Sequence, residues 1–157
     1  MSLHAAIKSH LLHHSKVALL VDDRVYHMTV LSTRAPKRPY IVFQVISQDR
    51  WRHMSNTCGV VDTEVQINIY ADKHEGADAA GKQIGAYTVA EEVRKSLDHL
   101  NHRTIGRAPD SLTVNAAFLN NSFADYTVDP DGREWGAFRV VQEWRIVHEE
   151  SLPVLAV

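Results

Sequence analysis

Apolar and polar residues alternate from Val60 to Ala71. Val65, Ile67 and Ile69 fall on one side, and Glu64, Gln66, Asn68 and Tyr70 on the other. A period of two marks a strand with one buried face. The period then changes. Ala79, Ala86, Val89, Ala90, Val93, Leu97 and Leu100 share one stripe, within an arc of about 100° at 3.6 residues per turn. This predicts a long amphipathic helix that starts at Asp72–Gly76 and ends near Asn101. A half-buried strand followed by a one-faced helix gives a two-layer unit.

The same reading extends along the chain. Leu3, Ile7 and Leu11 form a helical stripe behind a possible N-cap at Ser2, and the helix is expected to end near His14–Ser15. Val17 to Val21 reads as a further short turn of helix, and Arg24 to Met28 as extended. Ser32 to Pro39 is a loop, because Pro36 and Pro39 exclude a central strand. In Tyr40–Ile46, Ile41, Phe43 and Val45 alternate with Val42, Gln44 and Ile46, which predicts a strand covered on both faces. Gln48 to Gly59 reads as a polar connection to the Val60 strand, giving a first hairpin. Leu112 to Val128 carries a strand with a break at Asn120-Asn121-Ser122. Asp129-Pro130-Asp131-Gly132 is a turn signal, and Glu134 to His148 is a long final strand, giving a second hairpin. Phe138, Val140, Trp144 and Ile146 share one face of that strand, with Gln142 its one polar member. The expected fold is α+β: a mainly antiparallel sheet of four to five strands built from two hairpins, with two helices packed on one face. Residues 1–150 form one domain, and Ser151–Val157 is an apolar tail.

Composition narrows the function classes. The chain has 157 residues, enough to bury a core without staples. A formal charge of −2 gives no general nucleic-acid signature. A single cysteine, Cys58, excludes an internal disulfide and a cysteine-rich metal cluster. No apolar run approaches the roughly 20 residues of a membrane span, so a soluble protein made in a reducing cytoplasm is expected. Candidate chemistry is sparse. His10 and His14, spaced i,i+4 with His13 close by, could reach one metal ion, but no third ligand or zinc-protease glutamate accompanies them. Packing or interfacial histidines are the simpler reading. His99 and His102 suit the C-terminal end of the long helix. Cys58 with His53 lacks an orienting third group and an oxyanion site. Glu91 and Lys95 read as a solvated ion pair rather than an acid/base dyad. Gly76, Gly81 and Gly85 sit in a helical pattern, not a phosphate-binding loop, and are expected to permit close packing. The basic stretch Arg34, Lys37, Arg38 and the run Arg50-Trp51-Arg52-His53 could touch phosphate, with Trp51 stacking; solvated loops are the plainer alternative.

Several segments in fixed order carry a resemblance: Asp23-Arg24-Val25-Tyr26, Pro39-Tyr40-Ile41-Val42-Phe43, Val65-Gln66-Ile67-Asn68-Ile69-Tyr70-Ala71, and a helix with Ala90 and Val93-Arg94-Lys95-Ser96-Leu97. Over Leu3 to Glu150 the chain resembles the tail completion proteins of tailed bacteriophages, which are similar in role to tail terminators and tail-to-head joining proteins. It departs from them in a longer segment after the helix and in the Ser151–Val157 tail. The resemblance implies a non-enzymatic virion structural protein with no cofactor. Its copies would form a ring, usually a hexamer, at the head-proximal end of the tail tube. That ring would stop tube polymerisation and present a surface to the neck. The implied partners are further copies of the chain, the major tail tube protein and the head-closure or neck protein, with transient contact to DNA passing through the ring and no membrane. The implied location is the virion tail, assembled in the host bacterial cytoplasm. Interface residues are expected in the two loops and at the sheet edge: Arg34, Lys37, Arg38, Arg50, Trp51, Arg52 and Met54. The alternatives are a head-side neck or stopper protein and a metal-dependent hydrolase using His10 and His14.

Overall fold

The computed structural model describes residues 3–28, 37–52, 57–98, 100–107, 111–127 and 137–150. In chain order the elements are α1 (Leu3–His13), α2 (Ser15–Val21), β1 (Val25–His27), β2 (Tyr40–Arg52), β3 (Thr57–Ala71), α3 (Ala86–Leu97), β4 (Arg103–Ile105), β5 (Leu112–Thr127) and β6 (Ala137–Glu149). The strands form one six-stranded sheet in the order β1-β2-β3-β6-β5-β4. Only the β1–β2 pair is parallel; the other pairs are antiparallel. The α+β class and the two hairpins stand. The described residues hold six strands rather than four to five, and three helices rather than two. α2 and β1 fall on the segments read as a short helical turn and as extended, Val17–Val21 and Arg24–Met28; the addition is the three-residue edge strand β4, too short for a period-two signal.

The expected faces hold in the centre of the sheet. Val65, Ile67 and Ile69 join Ile41, Phe43, Val140, Trp144 and Ile146 in one core. The α1 stripe of Leu3, Ile7 and Leu11 covers this face, with Val89, Val93 and Leu97 of α3. Each of these side chains contributes about 1.5–3 kcal/mol relative to exposure. The opposite face carries a smaller cluster at one end, Tyr40, Val42, Tyr70 and Ala137, with Tyr26 against it. Tyr40 and Tyr70 stack there at 5.2 Å. Tyr40–Val42 is thus covered on both faces as expected, whereas Ile46 is 53% exposed.

Three boundaries differ from the sequence reading. The long helix does not begin at Asp72–Gly76. Residues 72–85 form a loop closed by an Ala77–Gln83 bridge, and Ala79 is exposed. Gly76 and Gly81 adopt positive φ of 113° and 81°, outside helical space. The Asp78 carboxylate accepts from the Ala80 and Lys82 N–H groups, which favours a turn over a helix. The packing expected of the small residues is met at Gly85, where a Cβ would lie 2.7 Å from Glu75 Cα and His74 O. Second, the expected connection Gln48–Gly59 is mostly strand, since β2 continues to Arg52 and β3 begins at Thr57. Third, the break expected at Asn120-Asn121-Ser122 is a bulge within a continuous β5. Ser2, the Asp129–Gly132 turn and the Ser151–Val157 tail lie outside the described residues.

The bulges explain the lost periodicity. Ile46 is an extra residue between Val45, opposite Val65, and Ser47, opposite Glu64. Asn120 is an extra residue between Leu119, opposite Trp144, and Asn121, opposite Glu143. Val65 and Trp144 are themselves partners, so the two bulges sit on one row, either side of the central β3–β6 pair. Bulges raise local twist and bend a strand.

Candidate interaction surface

The row of bulges forms a hollow of about 220 Å³ lined by Ile46, Glu64, Val65, Gln66, Asn120, Glu143 and Trp144. Each bulge also reverses the in–out phase of its strand. Phe118 and Phe123 lie an odd number of residues apart, yet both stand on the face away from the helices, opposite Arg145 and Val141. They are 52% and 41% exposed. Sequence periodicity missed both; the polar triplet Asn120-Asn121-Ser122 was the available signal.

The described members of the expected interface lie at the two ends of β2. Lys37 and Arg38 lie where β2 begins, and Arg50, Trp51 and Arg52 where it ends. Twelve strand steps of about 3.4 Å separate the ends by roughly 40 Å. Lys37 is exposed. Arg38 is 8% exposed, and its Nη1 donates to Asp72 Oδ1 at 2.8 Å, tying the start of β2 to the end of β3. Arg50 Nε donates to Glu150 Oε1 at 2.9 Å. Trp51 is half exposed, and Arg52 is exposed. Arg34, His53 and Met54 lie outside the described residues. Cys58 belongs to β3.

His10, His102 and His148 have hydrogen-bond partners within the fold. His10 Nε2 donates to the Ser96 carbonyl at 2.9 Å, fastening α1 to α3, and burial lowers its pKa. Its ring centroid is 6.4 Å from that of His14. Among the described residues no group of three His, Cys, Asp or Glu side chains could hold a metal ion. His148 is buried. Its Nδ1 donates to the Glu149 carbonyl at 3.2 Å, so Nε2 accepts from the Thr63 hydroxyl at 3.0 Å; burial lowers its pKa too. His102 does not cap α3. That helix ends at Leu97, and the His102 N–H donates to Asn115 O beside β4. Glu91 pairs with Arg94 at 2.6 Å rather than with Lys95, which instead meets Glu92 at 3.5 Å.

Arg139 and Asp125 form a two-pronged pair at 2.9 and 2.6 Å, holding the Asp125 carboxyl below its usual range. Arg145 pairs with Asp62. These ion pairs tie neighbouring strands together, on a sheet whose other exposed groups include large apolar side chains.

The model of the family described as Tail completion protein gp17 matches residues 5–149. The chain belongs to this family. The tail completion proteins are structural components of the bacteriophage virion, so the chain is a tail component of a phage-like particle. Twenty-three chains of solved structures match it. One of them, from a structure titled "Virion of native gene transfer agent (GTA) particle", is 16% identical with a TM-score of 0.62, covering 95% of this chain and 96% of that one. At that identity the likeness establishes the shared fold. No curated protein matches significantly. None of the helices described in this tail completion protein is long and apolar enough to cross a membrane.

Proposed function

We propose that the chain is the terminator of the tail tube. Its copies close into a ring, a hexamer, at the head-proximal end of the tail; the ring stops tube growth and gives the neck its attachment surface. The family match across residues 5–149 carries this reading. The near full-length likeness to a chain in a gene transfer agent virion supports it. The mechanism is binding. A closed ring uses two different patches per subunit. One face of the ring reproduces the tube's own contact, while the other rejects a further tube subunit. The two ends of the sheet are suited to this division. One presents Arg50, Trp51 and Arg52, the other Lys37 beside the Arg38–Asp72 pair. Arg34 and Met54 belong to the same two regions of sequence. Further copies, the tube protein, the neck protein and passing DNA are the partners this reading requires.

The test is electron microscopy of particles made with and without the protein. The expected result is ring density at the head-proximal tail end, and tails of uncontrolled length without heads when the protein is missing. Unchanged tail length and an unoccupied tail end would overturn the reading. Antibody labelling confined to isolated heads would move the protein to the neck.

A further inference from the structure

Two long edges of the sheet carry no strand among the described residues. Among the described residues, β1 covers β2 only at Ile41–Phe43, and β4 covers β5 only at Leu112–Val114. Residues 44–52 of β2 and 116–127 of β5 therefore have no described strand on their outer side. β1 and β4 stand at opposite ends of the sheet, because β2 and β5 run in opposite directions. Each edge is thus a step. Soluble proteins blunt such edges with charge, proline or very short strands. From Ala116 to Ala124, β5 has no charged residue and no proline, and it carries exposed Phe118 and Phe123. Five of the eight exposed large hydrophobics among the described residues lie on these two strands: Ile46, Trp51, Phe118, Phe123 and Tyr126.

We infer that the β4–β5 edge of one copy joins the β1–β2 edge of the next in a continuous ladder, each short strand filling the step left beside the neighbour's long strand. The inference rests on the ring reading. Strand direction favours this occupant. β5 runs opposite to β2, so a copy set alongside in the same orientation brings β1 antiparallel to β5, and β4 parallel to β2 as β1 already is. Because the two edges differ, the contact is heterologous and can close into a ring.

The hydrogen bonds identify which backbone groups face outward. Ile41 N–H donates to Arg24 O, and Met28 N–H to Phe43 O, so odd residues of β2 face outward before the Ile46 bulge, and Gln48 and Arg50 after it. Glu150 N–H donates to Gly59 O. The alternation from there makes Phe123 bond inward to β6 and leaves the Ser122 N–H outward. Ser122→Pro and Gln48→Pro each remove one outward donor while leaving the subunit's own ladder intact. Ser122→Lys blocks the β5 edge without touching the backbone.

Native mass spectrometry and electron microscopy of tail ends provide the test, with far-UV circular dichroism as the folding check. Wild-type protein is expected to form rings, each single variant to remain a folded monomer absent from tail ends, and a mixture of Ser122→Pro with Gln48→Pro to stop at dimers. Rings from all the variants in solution or on tails would overturn the edge ladder and leave the ring reading standing; the chain itself would then cover its edges. A single variant that dimerises would overturn it in favour of like-with-like pairing. Wild-type protein that forms no ring in either setting would overturn both.

Discussion

Gln142 stands between the buried apolar residues Val140 and Trp144 on its strand face, and the structure shows why it is tolerated there. Its Nε2 donates to the Ala90 carbonyl of α3 at 2.8 Å, and its Oε1 accepts from Trp144 Nε1 at 3.0 Å. Gln142→Leu leaves the indole N–H buried without that acceptor. The expected cost is about 2 kcal/mol, read as a melting temperature lowered by roughly 4–8 °C. Three histidines set a pH dependence, His148 buried and His10 and His27 half-buried. His10, His27 and His148 have pKa values lowered from 6.5, in each case chiefly by burial. A folded-state pKa below the unfolded one means that the unfolded chain takes up protons first. Stability from these groups is therefore fully present above pH 6.5 and lost as pH falls through 6.5 towards the lowered values. Melting temperatures measured from pH 7.5 to 5 should fall, and His148→Gln should flatten the slope. A profile without a decline in that window would count against the neutral, buried assignment. The sequence showed Gln142 as the polar member of its face and favoured packing over metal binding for His10 and His14, but it named no partners: spacing along a helix does not reveal the carbonyl that an imidazole meets on another helix.

At the scale of elements, the centres of the strands were legible and their ends were not. Val65, Ile67 and Ile69 alternate because the middle of β3 has one face under the helices. The outer half of β2 is exposed, so its side chains no longer alternate and it reads as loop, whereas β5 reads as a strand broken at Asn120-Asn121-Ser122. One inserted residue also reverses the phase, as Ile46 and Asn120 do. The start of α3 was misplaced because alanines in a loop satisfy a helical stripe as well as alanines in a helix. The structural requirement lies instead at Gly85, which precedes the helix and touches the backbone of His74 and Glu75. Backbone cannot swing aside like a flexible side chain. Gly85→Ala should destabilise the protein by about 1–3 kcal/mol, measured by denaturant unfolding. An unchanged midpoint would mean that the loop moves freely from the helix.

At the scale of the whole molecule, the strand edges left unpaired among the described residues and the exposed apolar groups are the features on which the proposed ring rests. The particle experiment is decisive there. A terminator missing from assembly should broaden the distribution of tail lengths several-fold, and Ser122→Lys should reproduce that phenotype while its purified protein keeps wild-type secondary structure. A normal length distribution with Ser122→Lys would separate termination from the β5 edge.

Local pattern alone determined the α+β class, the two hairpins, the buried faces of the central strands and the first helix. Each of these follows from residues close in sequence alternating between two environments. The order of segments also carried the family resemblance. Only the tertiary structure decided the sheet order, the pairing of β3 with β6, the alignment of two bulges on one row and the separation of the basic residues to opposite ends. Those depend on which distant strands share hydrogen bonds, and a period of two records burial without naming the partner.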